Sequence, residues 1–152
     1  MTAISSNVDV AIVGGGPAGL ATACVLRKHG VDAIVLDAAE EPSTASRATV
    51  IHSRTLEVLE SIDLTQRILE EGKPITAWNI CDKNSVLANL DFGRLKAKYP
   101  CVVTIPQSQT EALLGRRLEE LGGAVYRSAQ VTDIVDNGDS VQLEISRCQN
   151  EG

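Results

Sequence analysis

The chain opens on an apolar run, Val10-Ala-Ile-Val13, followed by three glycines and then by small and apolar residues at Ala18, Leu20, Ala23, Val25 and Leu26. The run has strand length and the residues behind it have helical spacing, so a strand and then a helix are predicted, with Leu20, Ala23, Val25 and Leu26 on the sheet. His29-Gly30 turns the chain into a second apolar strand, Ala33 to Leu36, and a polar, turn-rich loop follows from Glu40 to Ser46. Thr55 is placed to cap a helix through Leu56, Leu59 and Ile62. Ile75 to Cys81 and Val86 to Leu90 flank a polar Asp82-Lys-Asn-Ser85 turn and predict an antiparallel hairpin. Cys101 to Ile105 reads as a short strand, and a helix from about Gln107, with Ala112, Leu113, Leu118 and Leu121 apolar, ends at Gly122-Gly123. Ala124 to Arg127 is a third parallel strand, and Val131 to Val135 with Val141 to Ile145 is a second hairpin whose Asn137-Gly138 pair favours positive φ. The pattern predicts an α/β fold with a mainly parallel sheet and antiparallel hairpins.

Composition narrows the function. The 152 residues suffice for a domain with its own core, and 43% apolar with 22% charged residues is ordinary globular usage. A net charge of −6 and a pI near 4.9 leave no basic stripe to displace counterions, so neither nucleic acid nor an anionic membrane is predicted as a partner. No apolar stretch approaches the ~20 residues of a membrane span, and the first seven residues lack a signal-peptide pattern, so a cytoplasmic location is expected. Cys24, Cys81, Cys101 and Cys148 have no C-x-x-C spacing and no metal-ligand relation to His29 or His52; they are read as reduced, buried thiols, with Cys148 near a frayed terminus. No metal site is predicted.

The glycine run carries the chemistry. In a strand, tight turn and helix unit, Gly14 lets the chain reverse, Gly16 removes a side chain where backbone must approach a pyrophosphate, and Gly19 lets the helix lie close to the strands. Pro17 suits the first helical turn, where it has no N–H to lose, and Ala18 continues the small-residue opening. A phosphate would meet free N–H groups and the positive end of the helix dipole. Asp37, ending the second strand, stands where an acid accepts hydrogen bonds from a ribose hydroxyl and repels a 2′-phosphate. The order of these features predicts a site for the ADP half of FAD or NAD rather than NADP.

Other positions have two readings. Arg47 and Arg54 flank a loop and suit phosphate or carboxylate, or are solvated charges paired with Glu57 or Glu60. Gln107 follows Pro106 as a helix-start residue, with or without a ligand. His52 is read as a structural hydrogen-bonding residue and Trp78 as core.

Gly14-Gly-Gly-Pro-Ala-Gly19, Ser46-Arg47-Ala48, His52-Ser-Arg-Thr-Leu-Glu57 and Ile105-Pro-Gln107 together resemble the N-terminal part of the single-component FAD-dependent aromatic hydroxylases, the group of para-hydroxybenzoate hydroxylase and the phenol and polyketide hydroxylases. The resemblance runs through nearly all of residues 7 to 146. It implies a Rossmann-like FAD-binding fold, with Gly14, Gly16, Pro17, Ala18 and Gly19 by the pyrophosphate and Asp37 by the adenosine ribose. It further implies Arg47 holding the FAD from its loop, Gln107 beside the ribitol or pyrophosphate, and residues of about 75 to 103 contributing strands to a substrate-side sheet. The implied activity is NAD(P)H-dependent hydroxylation of a small aromatic, phenolic substrate, with the flavin carrying the chemistry. Members of that family have a Gly-Asp segment for the riboflavin half and an Asp-Gly segment for FAD and NAD(P)H; neither stands in this sequence, so a truncated portion of an FAD-binding domain is expected, inactive by itself and with no catalytic residue of its own. A nonenzymatic FAD- or ADP-binding module and an NAD-linked oxidoreductase are the alternatives.

Overall fold

The computed structural model describes residue 4 and residues 7–42 and 50–147. In chain order the elements are β1 (Val10–Val13), α1 (Pro17–Lys28), β2 (Ala33–Leu36), β3 (Val50–Ile51), α2 (Ser53–Glu60), α3 (Thr65–Glu71), β4 (Lys73–Ile75), β5 (Ala77–Cys81) and β6 (Val86–Asp91). A short 3-10 turn (Phe92–Arg94), β7 (Val102–Thr104), α4 (Gln107–Glu120), β8 (Ala124–Tyr126), β9 (Ala129–Asp136) and β10 (Val141–Arg147) follow. They divide into two compact units, Met1–Thr44 with Leu114–Gly152, and Ala45–Leu113.

In the first unit β2 is the centre of a three-stranded parallel sheet ordered β1-β2-β8, with Val10 opposite Ala33 and Ile34 opposite Ala124. All four residues of β2 are buried, as expected of a continuous apolar run covered on both faces. The third strand is parallel, in line with the sequence pattern. α1 packs on β1 and β2 and buries Leu20, Ala23 and Cys24, whereas Val25 and Leu26 are only partly covered. Positions 20, 23 and 24 are one helical face, and Cys24 rather than Val25 completes it. Its thiol donates to the Leu114 carbonyl at 3.5 Å. Full burial of a leucine such as Leu20 stabilises by about 1.5–3 kcal/mol.

Ile34 and Leu36, alternating with Ala33 and Val35, join Ala129 in a cluster that Ala11, Val131, Leu143 and Ile145 partly cover. The β9–β10 hairpin supplies much of this cover, and its register shifts between Glu144 and Ile145. At its turn only Gly138 has positive φ, Asn137 keeping ordinary backbone. Arg27 ties the unit together from the end of α1, pairing with Asp32 and donating to the Gly122 carbonyl at 2.6 Å.

The second unit is built on β7, flanked by β3 and β4, both antiparallel to it. These flanking strands, two and three residues long, are too short to show as an alternating pattern. α2 begins at Ser53, two residues before the expected cap at Thr55, because the Leu56 N–H already bonds the His52 carbonyl at 3.1 Å. α3 was not foreseen as a separate helix. Asp63, at φ +58, breaks the helical course, and Ile62, Leu64 and Ile68 are buried while the Thr65 hydroxyl donates to the Leu56 carbonyl. The predicted hairpin is β5 with β6, and Trp78 on it is half-buried, edge-on to Phe92 with ring centroids 5.3 Å apart. Among the described residues no helix is long and apolar enough to cross a membrane.

Candidate functional site

The glycine run divides into positions the protein itself needs and one it does not. Gly14 has φ +110, a conformation in which a side chain is strained. A Cβ on Gly19 would lie 2.0 Å from the Gly14 carbonyl oxygen, so α1 can approach the turn only without one. Among the described residues a Cβ on Gly16 would meet nothing within 4 Å, and its backbone, at φ −78 and ψ −179, is one any residue adopts. Neither packing nor conformation therefore accounts for glycine at position 16. The space beside it is open to something outside the chain.

What stands around that space fits an anion. Gly16 is the N-cap of α1 without a side-chain cap bond, Pro17 follows at the first helical position, and no acid lies in the first turn to compete for its N–H groups. Ala18 is exposed, as a small residue at such a mouth must be if a ligand is to reach the backbone.

Gly15 has a role the sequence reading missed. Its N–H donates to Asp37 Oδ2 at 2.8 Å, and a Cβ there would sit 2.3 Å from the same oxygen. Asp37 Oδ2 also accepts from the Arg127 guanidinium at 2.9 Å, and Oδ1 accepts from the Ala39 N–H at 2.9 Å. The backbone of this corner is pinned by Asp37 N–H to the Tyr126 carbonyl, Ala129 N–H to the Asp37 carbonyl and Ser128 N–H to the Ala39 carbonyl, at 2.9, 2.9 and 3.1 Å. Ser128 takes φ +52 to turn the chain from β8 into β9. The predicted ribose acid is thus beside the glycine run, together with an arginine 90 residues away in sequence. Sequence spacing held no signal for that contact.

The remaining candidates sit as follows. Arg47 lies outside the described residues. Gln107 is the first residue of α4 and belongs to the second unit; its amide donates to Oε1 of the buried Glu111 at 2.8 Å, one turn along. Arg54 is exposed and ion-paired with Glu57 at 2.6 Å, the simpler of its two readings, and this pairing holds the Glu57 carboxyl below its ordinary value. His52 is the exposed N-cap of α2 without a side-chain cap bond, so the structural hydrogen-bonding role expected of it is not seen as a cap. Next to it, the buried Ser53 hydroxyl has no partner among the described residues.

Cys24 and Cys101 are buried and Cys81, at the end of β5 in a two-stranded hairpin, is exposed, which corrects the expectation of uniform burial; Cys148 lies outside the described residues. Burial pushes the Cys24 thiol up to about 11, against the smaller lowering effect of Arg117. Among the described residues no group of three His, Cys, Asp or Glu side chains could hold a metal ion. A cavity of about 1010 Å³ opens in the first unit beside Ile34, Leu36 and the β9–β10 turn, and none of residues 14 to 19 lines it.

The family model described as FAD binding domain matches residues 7–152. The chain belongs to this FAD-binding family. Its architecture is the Rossmann-like α/β form with a parallel sheet and antiparallel additions, and its cofactor is FAD. The chain is 34% identical over 141 residues to 6-methylpretetramide 4-monooxygenase of Streptomyces rimosus, covering 91% of this chain and 25% of that protein. Among solved structures it matches p-nitrophenol 4-monooxygenase of Pseudomonas putida with a TM-score of 0.88 at 26% identity, covering 93% of this chain and 37% of the other. The anhydrotetracycline hydroxylase OxyS of Streptomyces rimosus matches with a TM-score of 0.82 at 33% identity, covering 93% and 28%. The FAD-binding chain therefore spans about a quarter of the length of the curated relatives it matches.

Proposed function

We propose that these residues form the ADP-binding part of the FAD site of an NAD(P)H-dependent monooxygenase that hydroxylates a small aromatic, phenolic substrate in the cytoplasm. The observation that carries the nucleotide reading is the open space at Gly16, a glycine that neither backbone nor packing requires. The substrate class rests on the relatives, one of which is named for p-nitrophenol, a phenolic ring.

In this reading Gly14 turns the chain, Gly16 with Pro17 and Ala18 leaves backbone N–H groups open to the pyrophosphate, and Gly19 seats the helix whose dipole favours the anion. Asp37 accepts a hydroxyl of the adenosine ribose. Arg47 adds a cation from the loop after β2, and Gln107 takes a polar group of the ribitol or pyrophosphate. Residues of about 75 to 103 contribute to the substrate-side sheet. When bound and reduced by NAD(P)H, the flavin supplies the oxygen chemistry, and the protein binds, orients and shields it. No residue in this stretch is assigned as catalytic acid, base or nucleophile.

Calorimetric titration of the folded chain with FAD, ADP and NAD tests the reading. FAD and ADP bind, and Gly16→Val weakens both at least ten-fold while the far-UV circular dichroism spectrum is unchanged. Equal binding to wild type and variant would overturn it. The chain by itself shows no phenol-stimulated oxygen uptake with NADPH, and such uptake would refute its assignment as one part of the enzyme.

A further inference from the structure

The Asp37 carboxylate is already heavily engaged before any nucleotide is considered. An ionised carboxylate offers about four acceptor positions. Two donors, the Gly15 N–H and the Arg127 guanidinium, fall on Oδ2, and the Ala39 N–H falls on Oδ1. Among the described residues' contacts this leaves one acceptor position, on Oδ1. A ribose has two adjacent hydroxyls, and an unencumbered acid at the end of such a strand has room for both.

We infer that Arg127 is a positioning residue for the nucleotide: by holding Asp37 Oδ2 against Gly15, it restricts the acid to a single ribose hydroxyl. The inference rests on the nucleotide reading above and specifies how that site reads the ribose. Arg127 suits the task because its planar fork fixes direction as well as charge, and its side chain is held in place, only 25% exposed beside an Asp37 that is 17% exposed. The corner that carries it is rigid. Backbone bonds from residues 126, 128 and 129 clasp residues 37 and 39 and so keep the two backbones side by side, while the Gly15 and Ala39 N–H groups and the guanidinium hold the carboxylate itself. The positive φ of Ser128 is the local cost of that corner, which sets Arg127 against the acid rather than along the continuing strand.

The test uses ligands that differ by one hydroxyl: ADP, 2′-deoxy-ADP and 3′-deoxy-ADP, each titrated calorimetrically into wild type, Arg127→Ala and Arg127→Lys. In wild type one deoxy analogue binds about ten-fold or more weaker than ADP and the other less than about two-fold weaker, since a hydrogen bond to a charged acceptor is worth at least a factor of ten. In Arg127→Ala the freed carboxylate accepts from either hydroxyl, and the two analogues come within about two-fold of each other. Arg127→Lys, which keeps the charge and loses the fork, gives an intermediate ratio. A residue serving stability alone would weaken all three ligands in proportion and leave the ratio unchanged; that result overturns the inference, as does equal loss for both analogues in wild type. Absence of any ADP binding by the folded wild-type chain overturns the nucleotide reading itself, and this inference with it. Should Arg127→Ala fail to fold, the ratio in Arg127→Lys decides, an unchanged wild-type ratio there counting against the role.

Discussion

Single residues in the glycine run have separable tasks. Gly19 is required by the fold, because any side chain would strike the Gly14 carbonyl oxygen at 2.0 Å, and backbone cannot yield as a flexible side chain can. Gly19→Ala is therefore expected to destabilise the chain by about 1–3 kcal/mol, the usual cost of overpacking. Gly16→Ala, at an N-cap where alanine is less favourable than glycine, should cost less than about 1 kcal/mol by urea unfolding, and losses equal to those of Gly19→Ala would show the two glycines to be equivalent. The sequence was legible here as far as spacing reaches. Gly14, Gly16, Pro17, Gly19 and Asp37 all lie within 24 consecutive residues, so strand, turn and helix rules fix where each must stand. Gly15 and Arg127 were not legible, since their roles arise from a contact across 90 residues and from the close approach of a carboxylate to one Cα. The Ser53 hydroxyl, without a partner among the described residues, is likewise visible only once α2 is packed, whereas the Gln107–Glu111 pair is a local i,i+4 contact that helical spacing does allow.

Among elements, the β5–β6 hairpin shows how a turn sequence becomes a titratable fastening. The Asp82 carboxylate accepts from the Asn84 N–H, the Ser85 N–H and the Ser85 hydroxyl at 2.9, 2.8 and 3.1 Å, and these bonds hold it below the ordinary carboxylate range. A folded-state value lowered below the unfolded one means the turn's contribution is fully present above about pH 4 and is lost as the pH falls through the lowered value. Exchange protection of the Asn84 and Ser85 amides is expected to disappear on acidification in wild type and to be low at every pH in Asp82→Ala; protection unchanged down to pH 2 would exclude the role. The two hairpins and α4 were readable because each has several residues in register with a period of 2 or 3.6, β1 and β2 because they are continuous apolar runs, and the three-residue β8 because Gly122-Gly123 marks the helix end before it. β3 and β4 were not, being too short to show a period. The register shift in the β9–β10 hairpin explains another departure. Val131 and Ile134 are three apart, which strict alternation puts on opposite faces, yet the bulge pairs them with Ile145 and Leu143, two apart on one face.

For the molecule as a whole, ligand binding should appear as stability. A nucleotide that binds only the folded chain, supplied at one hundred times its dissociation constant, adds about 2.7 kcal/mol, which for a chain of this size is a rise of roughly 5–10 °C in Tm. Thermal scans with ADP should show this rise in the transition that reports the unit holding the glycine run, and Gly16→Val should remove it. A rise retained in that variant would locate the binding elsewhere. The division into two units was not legible, because Gln107 and Leu114 stand on one continuous helix yet belong to different units, and nothing in the periodicity of α4 marks the change.

β1 has a consequence of another kind. It hydrogen-bonds to β2 alone among the described residues, and its last residue, Val13, is 57% exposed. An open apolar edge of a parallel sheet is a template for any other extended segment, including one from a second molecule. Its four residues limit how much can be recruited, and Asp9, whose carboxylate is tied to the Asp32 N–H at 2.9 Å, sets a charge at its start. Pairing of a second copy along Val10 to Val13 would therefore engage the same few residues that lead into the nucleotide loop.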